Sequence, residues 1–204
     1  MCKAIPLEIL SIMENKNDRP LVSFIVTTYN LPTTLLCECL QSILSLSLSK
    51  EEREIIVVDD GSEVSPLNDL VELRDKIVYV RQRNKGLSEA RNMGLVCAQG
   101  KFIQFVDGDD YLIQAPYEHC LDIARYKDAD IILFHETEEE QPEVPFECNG
   151  PMTGSAYMHQ YNLRASACGY LFRANILGNL RFTPNLLHED EEFTPQLILR
   201  CERV

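Results

Sequence analysis

Several short apolar runs along the chain stop abruptly at residues capable of chemistry. Leu21 to Thr27 (LVSFIVT) is rich in β-branched side chains, is bounded by Pro20 and by Asn30-Leu31-Pro32, and predicts a buried strand ending in Thr27, Thr28, Tyr29 and Asn30. Glu54 to Val58 (EIIVV) predicts a second strand, which stops at Asp59-Asp60-Gly61-Ser62. Lys76 to Val80 predicts a third. A fourth, carried by Phe102, Ile103, Phe105 and Val106, runs into Asp107-Gly108-Asp109-Asp110, and a fifth spans Ala129 to Phe134. Runs that are apolar on both alternate positions suit strands covered on both faces of a parallel sheet.

Helical periodicity fills the gaps. Thr33 or Thr34 can cap a helix running to about Leu48 through Leu36, Leu40, Ile43, Leu44 and Leu46. Another helix is predicted from Pro66 to Arg74. A third is predicted within Asn84 to Leu95 (NKGLSEARNMGL), with Ser88 as its cap and Ala90, Met93, Leu95 and Val96 inward, and a fourth passes through Tyr117, Cys120, Leu121 and Ala124. Strand and helix alternate with short connections, so the fold class is α/β, a mostly parallel central sheet with helices on both faces. Beyond residue 135 the pattern loosens. Glutamates and prolines between Glu136 and Asn149 predict an excursion or short β insertion; a helix over Met152 to Tyr161, a strand over Ala165 to Phe172, a short helix over Arg173 to Leu177 and a final helix through Phe193, Leu197 and Ile198 follow. The domain reading is a helical extension over 1–19, an α/β nucleotide-binding unit over 20–135 and a partial acceptor-side region over 136–204, since the chain ends fourteen residues after Asp190.

Composition narrows the function classes. A net charge of −13 argues against nucleic acid as a partner, because a backbone binder needs a basic surface. No apolar run approaches the length of a membrane span, and Met1 to Asn17 reads as a short amphipathic helix rather than the apolar core of a signal peptide. The eight cysteines form no pair of CxxC units and are read as reduced thiols of a cytoplasmic protein, able to sit at the inner face of a membrane through partners or a further segment. Arg81, Arg83, Lys85 and Arg91 cluster around one acid, Glu89, a pattern that fits either a solvated face or an anion site.

The acids at the strand ends carry the candidate chemistry. Asp107, Asp109 and Asp110 repel one another unless something positive neutralises them, and hard carboxylate oxygens suit Mg2+ or Mn2+. Magnesium takes one or two protein carboxylates and completes its shell with water and substrate phosphates, so the stretch reads as a metal-diphosphate site; an ordinary Asp-Gly turn is the alternative. A carboxylate at the end of the second strand can accept the imide N–H of a uracil if the base is buried against a flat side chain such as Tyr29. The start of the third helix offers backbone N–H groups and Arg91, which favour phosphate. No glycine-rich turn follows the first strand, so a GxGxxG dinucleotide fingerprint is missing.

Taken in order, VSFIVTTYN, EIIVVDDGS, NKGLSEARNMGL and FVDGDDYL closely resemble the family-two glycosyltransferases of GT-A fold, and HEDEEF resembles the later ED motif of that family. The resemblance implies that Thr27 and Tyr29 line the pocket for the base and that Asp60 accepts the uracil hydrogen bond. It implies Asp109 on the metal, Asp107 nearer the ribose and diphosphate, and Lys85 and Arg91 facing the diphosphate. Asp190 matches the second residue of the ED motif, the catalytic base of inverting members. The implied partners are a nucleotide-sugar donor, UDP-linked, and a saccharide or other hydroxyl acceptor. The implied cofactor is Mn2+ or Mg2+. The bland account of Glu189, Asp190, Glu191 and Glu192 together is that the dipole at a helix N-terminus favours acids. Two other readings stay open: a nucleotidyltransferase, and a non-catalytic nucleotide-sugar-binding module.

Overall fold

The computed structural model describes residues 19–138 and 148–204. The amphipathic helix expected at the N-terminus and most of the excursion expected from Glu136 to Asn149 lie outside the described residues. Six strands, β1 (Val22–Thr28), β2 (Arg53–Asp59), β3 (Val78–Arg81), β4 (Phe102–Asp107), β5 (Ile131–Leu133) and β6 (Tyr170–Arg173), form one sheet in the order β3-β2-β1-β4-β6-β5. β1 to β4 are mutually parallel, and β6 runs antiparallel to both of its neighbours, β4 and β5. The α/β class and the mostly parallel sheet follow the sequence expectation. β6, from residues beyond the expected boundary at 135, lies between β4 and β5, so one sheet runs across that boundary.

The helices are α1 (Thr33–Leu44), α2 (Leu87–Cys97), α3 (Gln114–Tyr126), α4 (Gly154–Gln160), α5 (Ala174–Leu177) and α6 (Glu189–Ile198). Alternate strand residues divide between two apolar layers, as the period of two requires. Phe24, Val26, Ile55, Val57, Phe102 and Val106 face the layer that holds α1 and α3. Ile25, Ile56, Val58, Ile103 and Phe105 face the layer that holds α2 and α6. The four residues expected inward on α3 are its buried ones. None of the described helices is long and apolar enough to cross a membrane.

Several local expectations are corrected. α1 stops at Leu44 rather than Leu48, because Arg53 Nη1 donates to the carbonyls of Ile43 and Leu44 and so finishes the helix with a cation at its C-terminus. The cap expected from Thr33 or Thr34 is absent: Pro32 occupies the N-cap position, and the Thr33 hydroxyl donates to Asp69 instead. The helix expected over Pro66 to Arg74 divides into two 3-10 segments, Pro66–Asn68 and Val71–Lys76, with Leu70 and Leu73 buried beneath them. The strand expected from Ala165 begins only at Tyr170.

On α2 the inward face is Ser88, Ala90, Arg91, Gly94 and Leu95, whereas Val96, expected inward, is 73% exposed. Gly94 sets this rotation. A β-carbon there would stand 2.2 Å from Ile25 Cγ2, so the helix backbone lies directly on β1 and Arg91, one turn earlier, is carried into the interior. Gly94→Ala should therefore lower stability by about 1–3 kcal/mol, the range for overpacking a tight contact, read as a shift of the urea midpoint. An unchanged midpoint would mean that α2 does not sit this close to β1.

Candidate nucleotide and metal site

Strand register brings the predicted residues together. Thr28 pairs with Asp59 across β1 and β2, and Thr27 pairs with Asp107 across β1 and β4, so the acids of both strands meet at the carboxyl edge of the sheet. That edge is where open α/β sheets bind ligands. Thr27 is buried and its hydroxyl donates to Asp107 Oδ1 at 3.3 Å, while Tyr29, just beyond the strand, is 52% exposed. Asn30 follows with a left-handed φ of 49°, its N–H donating to Ser62 Oγ and its Oδ1 accepting the N–H of Glu63. These bonds tie the loop after β1 to the loop after β2.

The two acids at the end of β2 do different work. Asp59 is fully buried; its Oδ1 accepts the Ser62 N–H at 2.8 Å, and its Oδ2 accepts the Tyr79 hydroxyl at 2.7 Å beside Arg81 Nε at 3.3 Å. Burial pushes this carboxyl up, but the Ser62 and Tyr79 hydrogen bonds and the Arg81 charge outweigh it and hold it below the ordinary carboxylate value. Asp59 is thus a structural anchor. Asp60, 4% exposed, accepts at Oδ1 from Gln82 Nε2 and the Lys85 N–H and at Oδ2 from the Gly86 N–H. It holds the start of α2, the place where Ser88 was expected as a cap and where no side chain of the helix caps it. Gly86, with φ of 88°, makes the turn. Lys85 contributes its backbone N–H to Asp60 and leaves its side chain exposed.

Arg91 is turned away from open solvent. Its side chain is 4% exposed, with Nη2 donating to Asp107 Oδ1 at 3.1 Å and Nη1 to Glu189 Oε1 at 2.7 Å. Burial opposes its charge, but Asp107 and Glu189 more than compensate, and the guanidinium is held more firmly protonated than usual. The sequence reading set Arg91 against a diphosphate and explained Glu189 by the helix dipole; the structure pairs the two with each other. The only sequence signal for this was a cluster of cations short of acids, which required partners from elsewhere in the chain.

Asp109 and Asp110 remain at the surface beside Asp107. Burial, then the charges of Asp107 and Asp109, push the Asp110 carboxyl up, so negative charge is in excess here even with Arg91 present. A hard divalent cation fits that donor set. Among the described residues no three His, Cys, Asp or Glu form a closed cage, and a magnesium-type site built on one or two carboxylates and a diphosphate needs none. Asp190 stands on the first turn of α6, next to Glu189 and half-buried, and its Oδ1 accepts the Glu191 N–H. His188 precedes it in a left-handed conformation and is exposed. A surface cleft of about 460 Å³ opens at the opposite end of the strands beside Leu21, Lys101 and Arg173, and holds none of these acids.

This sheet, with its acids gathered at the carboxyl edge, is the architecture of GT-A glycosyltransferases, and solved structures of that class superimpose on it. The first 349 residues of TarS from S. aureus match with a TM-score of 0.75 at 26% identity, over 89% of this chain and 56% of that one; the same protein has been solved in complex with UDP-GlcNAc. Residues 23–160 match the sequence family described as Glycosyl transferase family 2, and the chain belongs to that family. An uncharacterized glycosyltransferase of Bacillus subtilis strain 168, EpsJ, is 31% identical over 91% of this chain and 58% of its own length. Glycosyltransferase GlyA of Streptococcus pneumoniae serotype 4 is 29% identical over 90% of this chain and 29% of its own length. The chain therefore spans little more than half of the first of these relatives and under a third of the second.

The Asp59 network yields a pH prediction. Because its folded carboxyl lies below the ordinary value of 3.8, the contribution of Asp59 to stability is complete above that value and is lost as pH falls through the lowered one. At pH 7, Asp59→Asn should be less stable than the parent by about 1–3 kcal/mol, the cost of leaving buried partners poorly satisfied. The gap should narrow in unfolding titrations below about pH 4. A gap that is constant down to acid collapse would mean the carboxylate charge is not what holds the loop.

Proposed function

We propose that this chain binds a nucleoside-diphosphate sugar, UDP-linked, and transfers the sugar to a hydroxyl acceptor with inversion, assisted by Mn2+ or Mg2+. The observation that carries the reading is the convergence of Thr27, Asp60, Asp107 and Asp109 at one sheet edge, with Asp190 brought to the same neighbourhood by the Arg91 pair. Membership of the family and the likeness to a UDP-GlcNAc-binding neighbour support it.

In this reading Tyr29 offers its exposed face to the base. Asp60 accepts a hydrogen bond from the imide N–H of uracil at Oδ2, where Gly86 is its one close donor and Lys85 a longer one. The exposed Lys85 ammonium and the amino end of α2 lie toward the phosphates, while Arg91 balances Asp107 from within. Asp109 would hold the metal, which as a Lewis acid stabilises charge on the departing diphosphate. Asp190 takes the proton from the acceptor hydroxyl as it attacks the face of the sugar opposite the diphosphate, a task that requires a carboxylate apart from the metal-side acids.

Titration calorimetry with UDP and CDP, with and without Mn2+, tests the donor half. The parent should bind UDP more tightly than CDP, whose N3 carries no proton, and Asp109→Ala should remove most of the Mn2+-dependent gain. Equal affinity for the two nucleotides would remove the basis of the Asp60 assignment, and an undiminished metal gain in the variant would remove that of Asp109. For the acid-base half, Asp190→Asn should leave UDP affinity nearly unchanged and lower turnover by roughly 10²–10⁴-fold, the contribution of a general base. Retained turnover would exclude Asp190 from that role.

A further inference from the structure

Arg91 is an expensive residue to bury. A guanidinium removed from water needs its charge balanced and its five N–H groups satisfied. The balance is supplied from two sides by Asp107 and Glu189, yet Arg91 Nε is buried with no hydrogen-bond partner among the described residues. A group built only for stability would not be left in that state, and a buried polar atom without a partner points to a site whose geometry is set by another demand. What the position achieves is contact with three elements at once: α2, which carries Arg91; β4, which ends in Asp107; and the first turn of α6, which begins with Glu189.

The surroundings hold that arrangement in place. The guanidinium carbon lies 5.4 Å from the centre of the Phe182 ring and 6.0 Å from that of Phe105. Asn92, the next residue of α2, grips Phe182 by both backbone groups, its Nδ2 donating to the carbonyl at 2.8 Å and its Oδ1 accepting the N–H at 2.9 Å. Phe182 in turn stacks on Phe193 of α6 with ring centres 3.9 Å apart and planes within 10°. The beginning of α6 is therefore fixed to α2 by an ion pair on one side and an aromatic stack on the other. Of the three residues between these two anchors, Asp190 is half-buried while Glu191 and Glu192 are exposed.

We propose that Glu189 is a positioning residue that acts through Arg91, holding the guanidinium across to Asp107 so that the metal-side acid of β4 and the Asp190 turn of α6 keep a fixed relation. This rests on the reading of Asp190 and Asp107 given above. Lysine could not replace the arginine, because one ammonium cannot present the fork that reaches both carboxylates. Glutamine could replace Glu189 sterically, since its carbonyl oxygen still accepts from Nη1, but it removes the charge that draws Arg91 toward α6.

The test is a double-mutant cycle of Glu189→Gln and Arg91→Lys, with Glu192→Gln, an exposed neighbour outside the bridge, as control. Each variant is measured by thermal unfolding, by Mn2+·UDP affinity, and by UDP release to water from a panel of UDP-sugars, the donor being the one that the parent turns over fastest, at a temperature well below every melting point. Glu189→Gln should lower kcat on the order of 10²-fold, the effect of about 1 Å of misplacement, with KM for the donor within about threefold of the parent. The double variant should turn over no more slowly than Arg91→Lys alone, because in this arrangement Glu189 acts through its bond to Arg91. Glu192→Gln should match the parent. A kcat for Glu189→Gln equal to the parent, or losses that add independently in the double variant, would overturn the positioning role while leaving nucleotide binding intact. A parent that binds no Mn2+·UDP, or binds it and releases no UDP from any sugar of the panel, would overturn the functional reading and this role with it. Should Arg91→Lys fail to fold, the split between kcat and KM in Glu189→Gln decides alone.

Discussion

One buried cation joins the halves of this molecule. Arg91 reaches Asp107 at the end of β4 and Glu189 at the start of α6, and Gly94, one turn further on, lets α2 lie against Ile25 of β1. A larger residue at position 94 would push the helix outward and withdraw the guanidinium from the acids. Glu189, 13% exposed, would then lose its charge partner, and Asp107, 37% exposed, would be left to solvent. Packing and charge are therefore not separable here: the close helix contact places the cation, and the cation allows acids to collect at the sheet edge.

The carboxylates at that edge are divided by how their charge is met. Asp59 is neutralised from within by Arg81, Tyr79 and Ser62 and keeps the loop after β2 in shape. Asp60 is spent largely on backbone N–H groups and fixes the entry of α2. Asp107 is matched by Arg91. Asp109 and Asp110 remain at the surface, the Asp110 carboxyl pushed up by partial burial and by its acidic neighbours, and the proposal above sets a metal diphosphate against them. Adjacent residues of identical type thus differ in role because their surroundings differ.

Much of this was legible in the chain itself. The strands announce themselves as β-branched runs, and their acids follow at once, so the sheet edge and the residues Thr27, Asp60, Asp107 and Asp109 could be located without coordinates. Interactions between distant segments were not legible. Nothing local in NKGLSEARNMGL shows that Arg91 points inward, since its neighbours Ala90 and Leu95 fit a range of rotations and only the Gly94 contact with Ile25 selects one. Glu189 carried no expectation beyond the helix dipole, and its partner lies 98 residues away. The antiparallel insertion of β6 between β4 and β5 was likewise hidden, because strand order depends on pairings that no short pattern records.

The central claim is that the carboxyl edge of β1, β2 and β4 binds a metal-nucleoside diphosphate. Crystals grown with UDP and Mn2+, with anomalous scattering recorded near the manganese edge, test it most directly. The account predicts a manganese peak at about 2.0–2.2 Å from an oxygen of Asp109, the spacing for a hard octahedral ion of this kind, with the uracil between Tyr29 and Asp60. A peak coordinated elsewhere, or UDP lodged in the cleft beside Lys101 and Arg173 at the far end of the strands, would contradict it.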